Sequence, residues 1–469
     1  MPRRWWALAV LALVQFIIVI DNTVVNVALP SVQRALGFSA GGLAWVVNGY
    51  LLTAGGLLLF GGRLGDVLGR RRMFLAGAAV FGLASAVCGT AAQTWVMVAG
   101  RFVQGMGEAL ASPAALSLIA VLFTDRSERS KAVGIWGALA GLGATVGVLL
   151  SGVLTQLASW RWVFFINVPF VVAALVLVPW LVPESRATEG RRSLNPVSAV
   201  LVTAGLLGVV DGLLAAGRGS WYAAGVVVPL AAGAAALLAF VLVEAQAAAP
   251  LVPLRFFAHR TRVAANVTTV FTLSVLAAMF LLLTVYLQDG LGYSALRTGL
   301  AYLPFCVAFV LGVTMSVPLT ARLGVRVGLV TALAIAAVGM LLLARVGVHA
   351  SYPGTMLPAM LVIAVGHGMA FPAIQAAALR DVSERDAGLA AGIQTTMQAV
   401  SAALGVAAFV AIALSRSHAG AVSGLSAPAA AVAGYRTAFE AMAASLVLGA
   451  VAAAFISGGR PVVRTADGS

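Results

Sequence analysis

Gly61-Gly62-Arg63-Leu64-Gly65-Asp66-Val67-Leu68-Gly69-Arg70-Arg71-Arg72-Met73-Phe74 is a charged turn between two long apolar runs, Leu43 to Phe60 and Met73 to Ala92. Four arginines within ten residues cannot sit in hydrocarbon, so the turn belongs at a membrane face. Arginine clusters are retained on the cytoplasmic side. That assignment sets the direction of every other span by alternation. The glycines let two helices end and restart close together, and Asp66 gives the arginines an anionic partner.

The composition of the 469 residues agrees. A chain that is 61% hydrophobic and 9% charged, with mean hydropathy +1.03, is a polytopic helical membrane protein rather than a soluble one. Its net charge of +14 would suggest nucleic acid in a soluble protein. Here 21 of the 29 Lys and Arg fall on the Arg70 side and 7 on the other, a topological asymmetry that calls for no nucleic acid and no anionic partner beyond lipid headgroups. Cys88 and Cys306 lie in separate apolar runs and read as reduced core residues. Lys131 is the sole lysine, which removes the lysine-containing phosphate loop as a way of binding ATP. The run after Met1-Pro2-Arg3-Arg4 continues to Pro30, too long for a signal peptide, and reads as a retained first helix.

A spanning helix needs about twenty apolar residues. Fourteen runs qualify: 5–29, 43–61, 73–92, 95–123, 132–157, 162–182, 196–215, 221–243, 263–288, 299–320, 327–347, 353–379, 387–414 and 436–457. Both termini are then cytoplasmic. The expected division is a six-helix half over 1–182, a connector 183–195, an extra hairpin 196–243, a connector 244–262, a second six-helix half 263–457 and a tail 458–469. Asn195-Pro196 reads as a helix cap followed by a first-turn proline. Leu323-Gly324-Val325-Arg326 echoes Leu68-Gly69-Arg70-Arg71, and Ser383-Glu384-Arg385 echoes Ser127-Glu128-Arg129. Two echoes at one offset argue for duplication, the two halves being related about the membrane normal.

Charges inside spans are the candidate machinery. Asp21 costs about 2.5–3.5 kcal/mol in mid-bilayer, which a helix this apolar can carry if the side chain faces the bundle interior. Asn22 and Asn26 share a face with each other. In the fourth span Arg101, Gln104 and Glu108 recur at i, i+3 and i+7 on one face. Arg101 and Glu108 stand about 10 Å apart along the axis, so each needs another partner, and Asp21 is the counter-ion expected for Arg101. Glu108 reads equally as a second proton site or as a structural partner. Asn48, Asn266, Tyr286, Tyr302 and Phe305 join Asn22, Asn26 and Gln104 as candidate cavity residues. The hydroxyls around Asn266 have the commoner alternative of bonding their own helix, and the aromatic residues that of core packing. Gly137, Gly141, Gly143 and Gly147 of the fifth span suit close helix approach.

The pattern Gly62-x-Leu64-x-Asp66-x-x-Gly69-Arg70-Arg71 resembles the loop signature of the major facilitator superfamily. Asp21-x-Thr23-Val24-Val25-Asn26-Val27-Ala28-Leu29-Pro30 is similar to the first-span signature of its fourteen-span drug:proton antiporters. Arg101-x-x-Gln104-Gly105-x-Gly107 resembles the superfamily's fourth-span motif, and Trp160 to Pro169 the sixth-span entrance of the drug exporters. The fifth span departs from the family's antiporter motif. It reads Gly147-Val148-Leu149-Leu150-Ser151-Gly152, without the expected proline and one glycine.

The resemblance implies an all-α major facilitator fold of two six-helix halves plus an inserted hairpin. It implies a monomeric, non-enzymatic exporter of drug-like small molecules in a bacterial cytoplasmic membrane, driven by a proton gradient without a cofactor. Asp21 would then carry the proton beside Arg101, with Glu108 a second candidate. Gly62, Asp66, Gly69, Arg70 and Arg71 would form a cytoplasmic gate against the start of the thirteenth helix. A facilitator or importer of a metabolite on the same fold is the alternative, and a membrane-embedded sensor or enzyme a remote one.

Overall fold

The computed structural model describes residues 3–186, 194–217, 219–247, 250–380, 382 and 387–456. At 126, 130, 138, 140, 141, 144 and 387 the description covers the backbone alone. Every regular element is helical, as the composition demands: in hydrocarbon a backbone must satisfy its own hydrogen bonds. The helices are α1 (Arg3–Leu36), α2 (Ala40–Leu68), α3 (Arg70–Thr90), α4 (Thr94–Leu122), α5 (Arg126–Leu157), α6 (Trp162–Phe165), α7 (Asn167–Leu181), α8 (Pro196–Ala216), α9 (Ala224–Gln246), α10 (Arg260–Val285), α11 (Ala295–Ala301), α12 (Leu303–Leu343), α13 (Leu357–Ala378), α14 (Ala387–Val422) and α15 (Ala427–Ala453).

Capping residues start several of them, at Asn195 where the sequence suggests it. Ser39 accepts from the Gly42 amide, Asp125 from Glu128, and Asn195 from Ser198 with Pro196 in the first turn. Twelve segments among the described residues are long and apolar enough to cross a membrane.

One of the twelve, Ala295–Leu343, holds two legs. Gly324 takes φ +80° and ψ 158° inside α12, and only a residue without Cβ adopts that conformation freely. The legs flank α13 at one level. A Cβ on Gly368 would collide with the Phe309 carbonyl, and one on Gly366 would lie 2.7 Å from the Ala332 carbonyl. Positions 309 and 332 would stand about 35 Å apart on a straight helix. Both meet residues two apart on α13, so α12 doubles back.

Helix α1 runs along α5, and α2 packs on α4 and α14. Gly147 allows the first approach, because a Cβ there would collide with the Thr23 hydroxyl; Gly143 stands 3.1 Å from the Phe16 carbonyl on the same measure. Gly137, expected as a packing position, has open space where its Cβ would be: it lies about 80–120° around α5 from Gly143 and Gly147, off the face that meets α1. At Gly141 only the backbone is described.

The end of the bundle carrying the N-terminus and Arg70 (the arginine end) differs from the far end. At the far end the first and second halves touch: Gln288 Nε2 donates to the Val27 carbonyl at 2.8 Å and Arg34 pairs with Asp289 at 2.9 Å. There too a Cβ on Gly152 would lie 2.9 Å from the Ala295 carbonyl. At the arginine end Val133 and Ile135 of α5 are 40% and 42% exposed, as are Met315 and Val317 of α12 at 50% and 68%. Each pair is two residues, about 200°, apart around its helix. One face of each helix meets lipid, and the other borders a cleft between the halves.

The α8–α9 hairpin docks on the seam of α2 and α14. A Cβ on Gly56 would lie 2.5 Å from Thr203 Oγ1, and one on Gly217 2.8 Å from Ala411 Cα.

Candidate functional site: a buried acid–arginine ring

Arg101 enters the middle of the first half from α4, where no water can solvate its guanidinium, so every donor must meet protein. Its Nη1 donates to Asp21 Oδ2 at 2.5 Å and to Gln104 Oε1 at 2.8 Å, and its Nε to the Val46 carbonyl at 2.8 Å. Its flat face lies 4.2 Å from the centre of the Tyr50 ring, a favourable cation–π stacking.

Asp21 is saturated. Besides Arg101 on Oδ2, its Oδ1 accepts from Gln104 Nε2 at 2.8 Å and Asn167 Nδ2 at 2.7 Å. Both amides also donate to Ser85 Oγ, at 3.1 Å and 2.7 Å, and Ser85 gives its single proton to the Phe164 carbonyl at 3.1 Å. These contacts fix the orientation of both amides. Asp21, Ser85, Gln104 and Asn167 are 0% exposed and Arg101 is 1% exposed, which puts a neutral pair of charges in a sealed, low-dielectric ring. Such a pair persists only while hydrogen bonds satisfy both partners.

Glu108, one turn beyond Gln104 on α4, is outside the seal. It is partly exposed, and its carboxyl approaches the Tyr50 hydroxyl. Asn22 is partly exposed too; its Nδ2 reaches the Tyr50 hydroxyl at 3.3 Å, and Asn26 donates to the Asn22 carbonyl at 3.1 Å. The site therefore has two tiers, a closed one around Asp21 and an accessible one of Glu108, Asn22 and Asn26. Tyr50 touches both.

The remaining candidates divide. Tyr286, Tyr302 and Phe305 are enclosed at 1%, 0% and 3% exposure, and in this conformation they are core residues rather than cavity walls. The Tyr286 hydroxyl donates to the Gly347 carbonyl, the Tyr302 hydroxyl to that of Phe280, and Phe305 stands edge-on to Phe280. The apolar packing partners these rings need were supplied by their own half. Asn266 gives its amide to the Arg262 carbonyl, and the neighbouring Thr268, Thr269 and Thr272 bond their own helix. Asn48 is 0% exposed, and neither its Nδ2 nor its Oδ1 has a partner among the described residues.

At the arginine end Asp66 takes Arg70 Nη2 at 2.8 Å, and Gly62 lies beside Pro113. Among the described residues Asp66 makes no hydrogen bond or ion pair with α14, and 383–386, just before that helix, lie outside them. Glu184 holds the loop instead. Its carboxylate accepts from the backbone amides of Arg71 at 3.0 Å and Arg72 at 3.2 Å, an anion on the positive end of α3. Gly69, at φ +119°, leaves it room: a Cβ there would lie 2.8 Å from Glu184 Oε1. Ser85, Asn167, Tyr50 and Glu184 escaped the sequence reading. The available signal was polarity inside apolar runs for Ser85 and Asn167. Among the described residues no cluster of three metal-ligating side chains occurs.

A profile described as the Major Facilitator Superfamily matches residues 11–406. The puromycin resistance protein of Streptomyces alboniger is 42% identical over 410 residues, covering 87% of this chain and 81% of that protein. The lincomycin resistance protein of Streptomyces lincolnensis is 39% identical over 413 residues, covering 88% and 85%. Among solved structures, an inward-facing, unoccupied bacterial homolog of the human lysosomal transporter Spinster superposes with a TM-score of 0.66 at 18% identity, covering 97% of each chain.

Proposed function

The chain belongs to the major facilitator superfamily, and on that premise we propose that it exports antibiotic-like small molecules in exchange for protons. The observation that carries the reading is the sealed Asp21–Arg101 pair beside the accessible Glu108. An acid that is paired and sealed in one state and opened in another binds and releases a proton once per cycle. Asp21 takes the proton when the ring opens, Arg101 then keeping the Val46 carbonyl, Gln104 and Tyr50 as partners, and gives it up when cargo closes the ring and returns Arg101 to the carboxylate. Rocking of the halves exposes the cleft to one side and then the other.

The relatives' names, resistance to puromycin and to lincomycin, supply the class of cargo. The arginine excess puts the arginine end in the bacterial cytoplasm, with both termini there and the cleft open inward. Helix α5 and the two legs of α12 bring the crossings to fourteen, six in each half and two in the hairpin, in a monomer. The gate consists of Asp66, Arg70 and the Glu184-held start of α3.

The test is proton release from detergent-solubilised protein on adding puromycin or lincomycin, comparing wild type with Asp21→Asn and Glu108→Gln. Release by wild type and by Glu108→Gln, with none from Asp21→Asn, is the expected pattern. Release that survives Asp21→Asn moves the proton site to Glu108. Binding without release from the wild type leaves a facilitator, the reading that the fifth span's missing proline favours.

A further inference from the structure

We propose that Asn48 is a cargo-contact residue of the outward-open state, closed away in the present conformation by the far-end latch between the halves. The proposal rests on the alternating-access reading above.

Asn48 carries a donor and an acceptor group, is 0% exposed, and pairs neither of them among the described residues. A polar side chain enclosed without partners is uncommon enough to need a cause. Its address supplies one. Positions 48, 52, 55 and 59 form a single stripe along α2. The inner part of that stripe lies on the second half: a Cβ on Gly55 would lie 2.9 Å from Ala399 Cβ, and one on Gly392 2.8 Å from Leu59 Cδ2. Asn48 continues the stripe toward the outer end, about 12 Å inside the start of α2. By this register it faces the seam between the halves rather than the interior of the first one. Thr53 is its opposite. That side chain points to α4, bonding the Phe102 carbonyl at 2.9 Å within the first half.

The latch that holds the outer seam shut is Gln288 on the Val27 carbonyl, the Arg34–Asp289 pair and the α5–α11 approach at Gly152. When it parts, α2 leaves α14 at this depth, and the Asn48 amide becomes a free donor and acceptor on the cargo path. The ligand it suits is a neutral or cationic molecule with its own hydrogen-bonding groups, met at the moment of release.

The experiment is modification by a membrane-impermeant maleimide in a Cys88→Ala, Cys306→Ala background, with single cysteines at four positions. Ser220→Cys, exposed between α8 and α9, reports full access. Ala295→Cys reports opening of the latch, and Thr53→Cys reports general loosening. The fourth is Asn48→Cys. With the latch intact Asn48→Cys reacts slowly. With Gln288→Ala and Arg34→Ala added, Ala295→Cys and Asn48→Cys should each gain at least about tenfold while Thr53→Cys stays slow. The proposal is overturned if Asn48→Cys stays slow while Ala295→Cys accelerates, if it matches Ser220→Cys with the latch intact, or if Ala295→Cys fails to respond.

Asn48→Leu adds a second readout. It should lower puromycin efflux from cells several-fold while the proton release triggered by binding from the inner side is kept, and unchanged efflux would again overturn the contact. If wild type moves neither puromycin nor protons, the export reading fails, yet the labelling pattern still decides whether Asn48 lies on an opening seam.

Discussion

Removing one member of the buried pair should cost more than removing both. In Asp21→Asn the guanidinium retains the Val46 carbonyl and Gln104 Oε1, both at 2.8 Å, and the Tyr50 ring at 4.2 Å, but it loses its anion and cannot shed its own charge. In Arg101→Met the carboxylate keeps two amide donors, Gln104 and Asn167, but no cation. An uncompensated buried charge costs about 3–5 kcal/mol in either case. The double variant has neither orphan charge. It should be more stable than either single variant, although it carries one more substitution. Thermal unfolding of the purified proteins in one detergent at neutral pH, followed by tryptophan fluorescence, orders the four midpoints. The expected order is wild type, the double variant, then the two single variants. If the double variant falls below wild type by the sum of the two single losses, the two side chains do not interact and the sealed ring is wrong.

Two glycines separate backbone strain from crowding. Gly69→Ala meets both a positive φ and the Glu184 carboxylate, whereas Gly324→Ala, at φ +80° with nothing within 4 Å of the added Cβ, meets strain alone. Left-handed strain costs about 1–2 kcal/mol, so Gly324→Ala should lower the unfolding midpoint by a few degrees and Gly69→Ala by clearly more. Equal losses would remove Glu184 from the argument, as would additivity of Gly69→Ala with Glu184→Ala. Ser85→Ala strands the Phe164 carbonyl and one proton of each neighbouring amide, a cost of about 1–3 kcal/mol, and should also slow puromycin efflux; a neutral result on both would show that the ring does not depend on its hydroxyl. Arg34→Ala breaks only an exposed pair, with side chains 62% and 40% accessible, worth at most about 1 kcal/mol. Its unfolding midpoint should stay within about a degree or two of wild type, and a larger drop would mean that the latch bears on stability as well as access.

Hydrophobicity is a long-range average, so the all-helical, many-span character was readable directly, and so was the helix start at Asn195-Pro196. The ion pair was readable too, for a chemical reason: Asp21 and Arg101 each carry a cost in hydrocarbon that only a partner can offset, and few partners exist in so apolar a chain. What stayed hidden is what depends on how helices rotate against one another. Tyr286, Tyr302 and Phe305 have the composition of a cavity wall, but burial against Phe280 and bonds to carbonyls decide their place. Gly137 belongs to the same run of glycines, but it sits on another face of α5 from Gly143 and Gly147.

Uncharged polar residues were the hardest to read, because one amide or hydroxyl in an apolar run costs too little to announce a partner. Ser85 and Asn167 nevertheless complete the shell of Asp21. Their positions explain how one acid can be both sealed and usable. With three donors on its carboxylate and Arg101 beside it, Asp21 cannot take a proton from the cleft until the ring breaks. A shift of any one of α1, α3, α4 or α7 breaks it, since each contributes one or more of its members. Coupling between proton and cargo therefore needs no direct contact between them. It needs only that cargo in the accessible tier, at Glu108 and Asn22, presses on Tyr50, whose ring lies against Arg101, so that the guanidinium closes on Asp21 and displaces its proton. Tyr50→Leu should then uncouple the exporter, leaving puromycin binding within about threefold of wild type while the proton release it triggers disappears. Release that persisted in this variant would place the coupling elsewhere in the bundle.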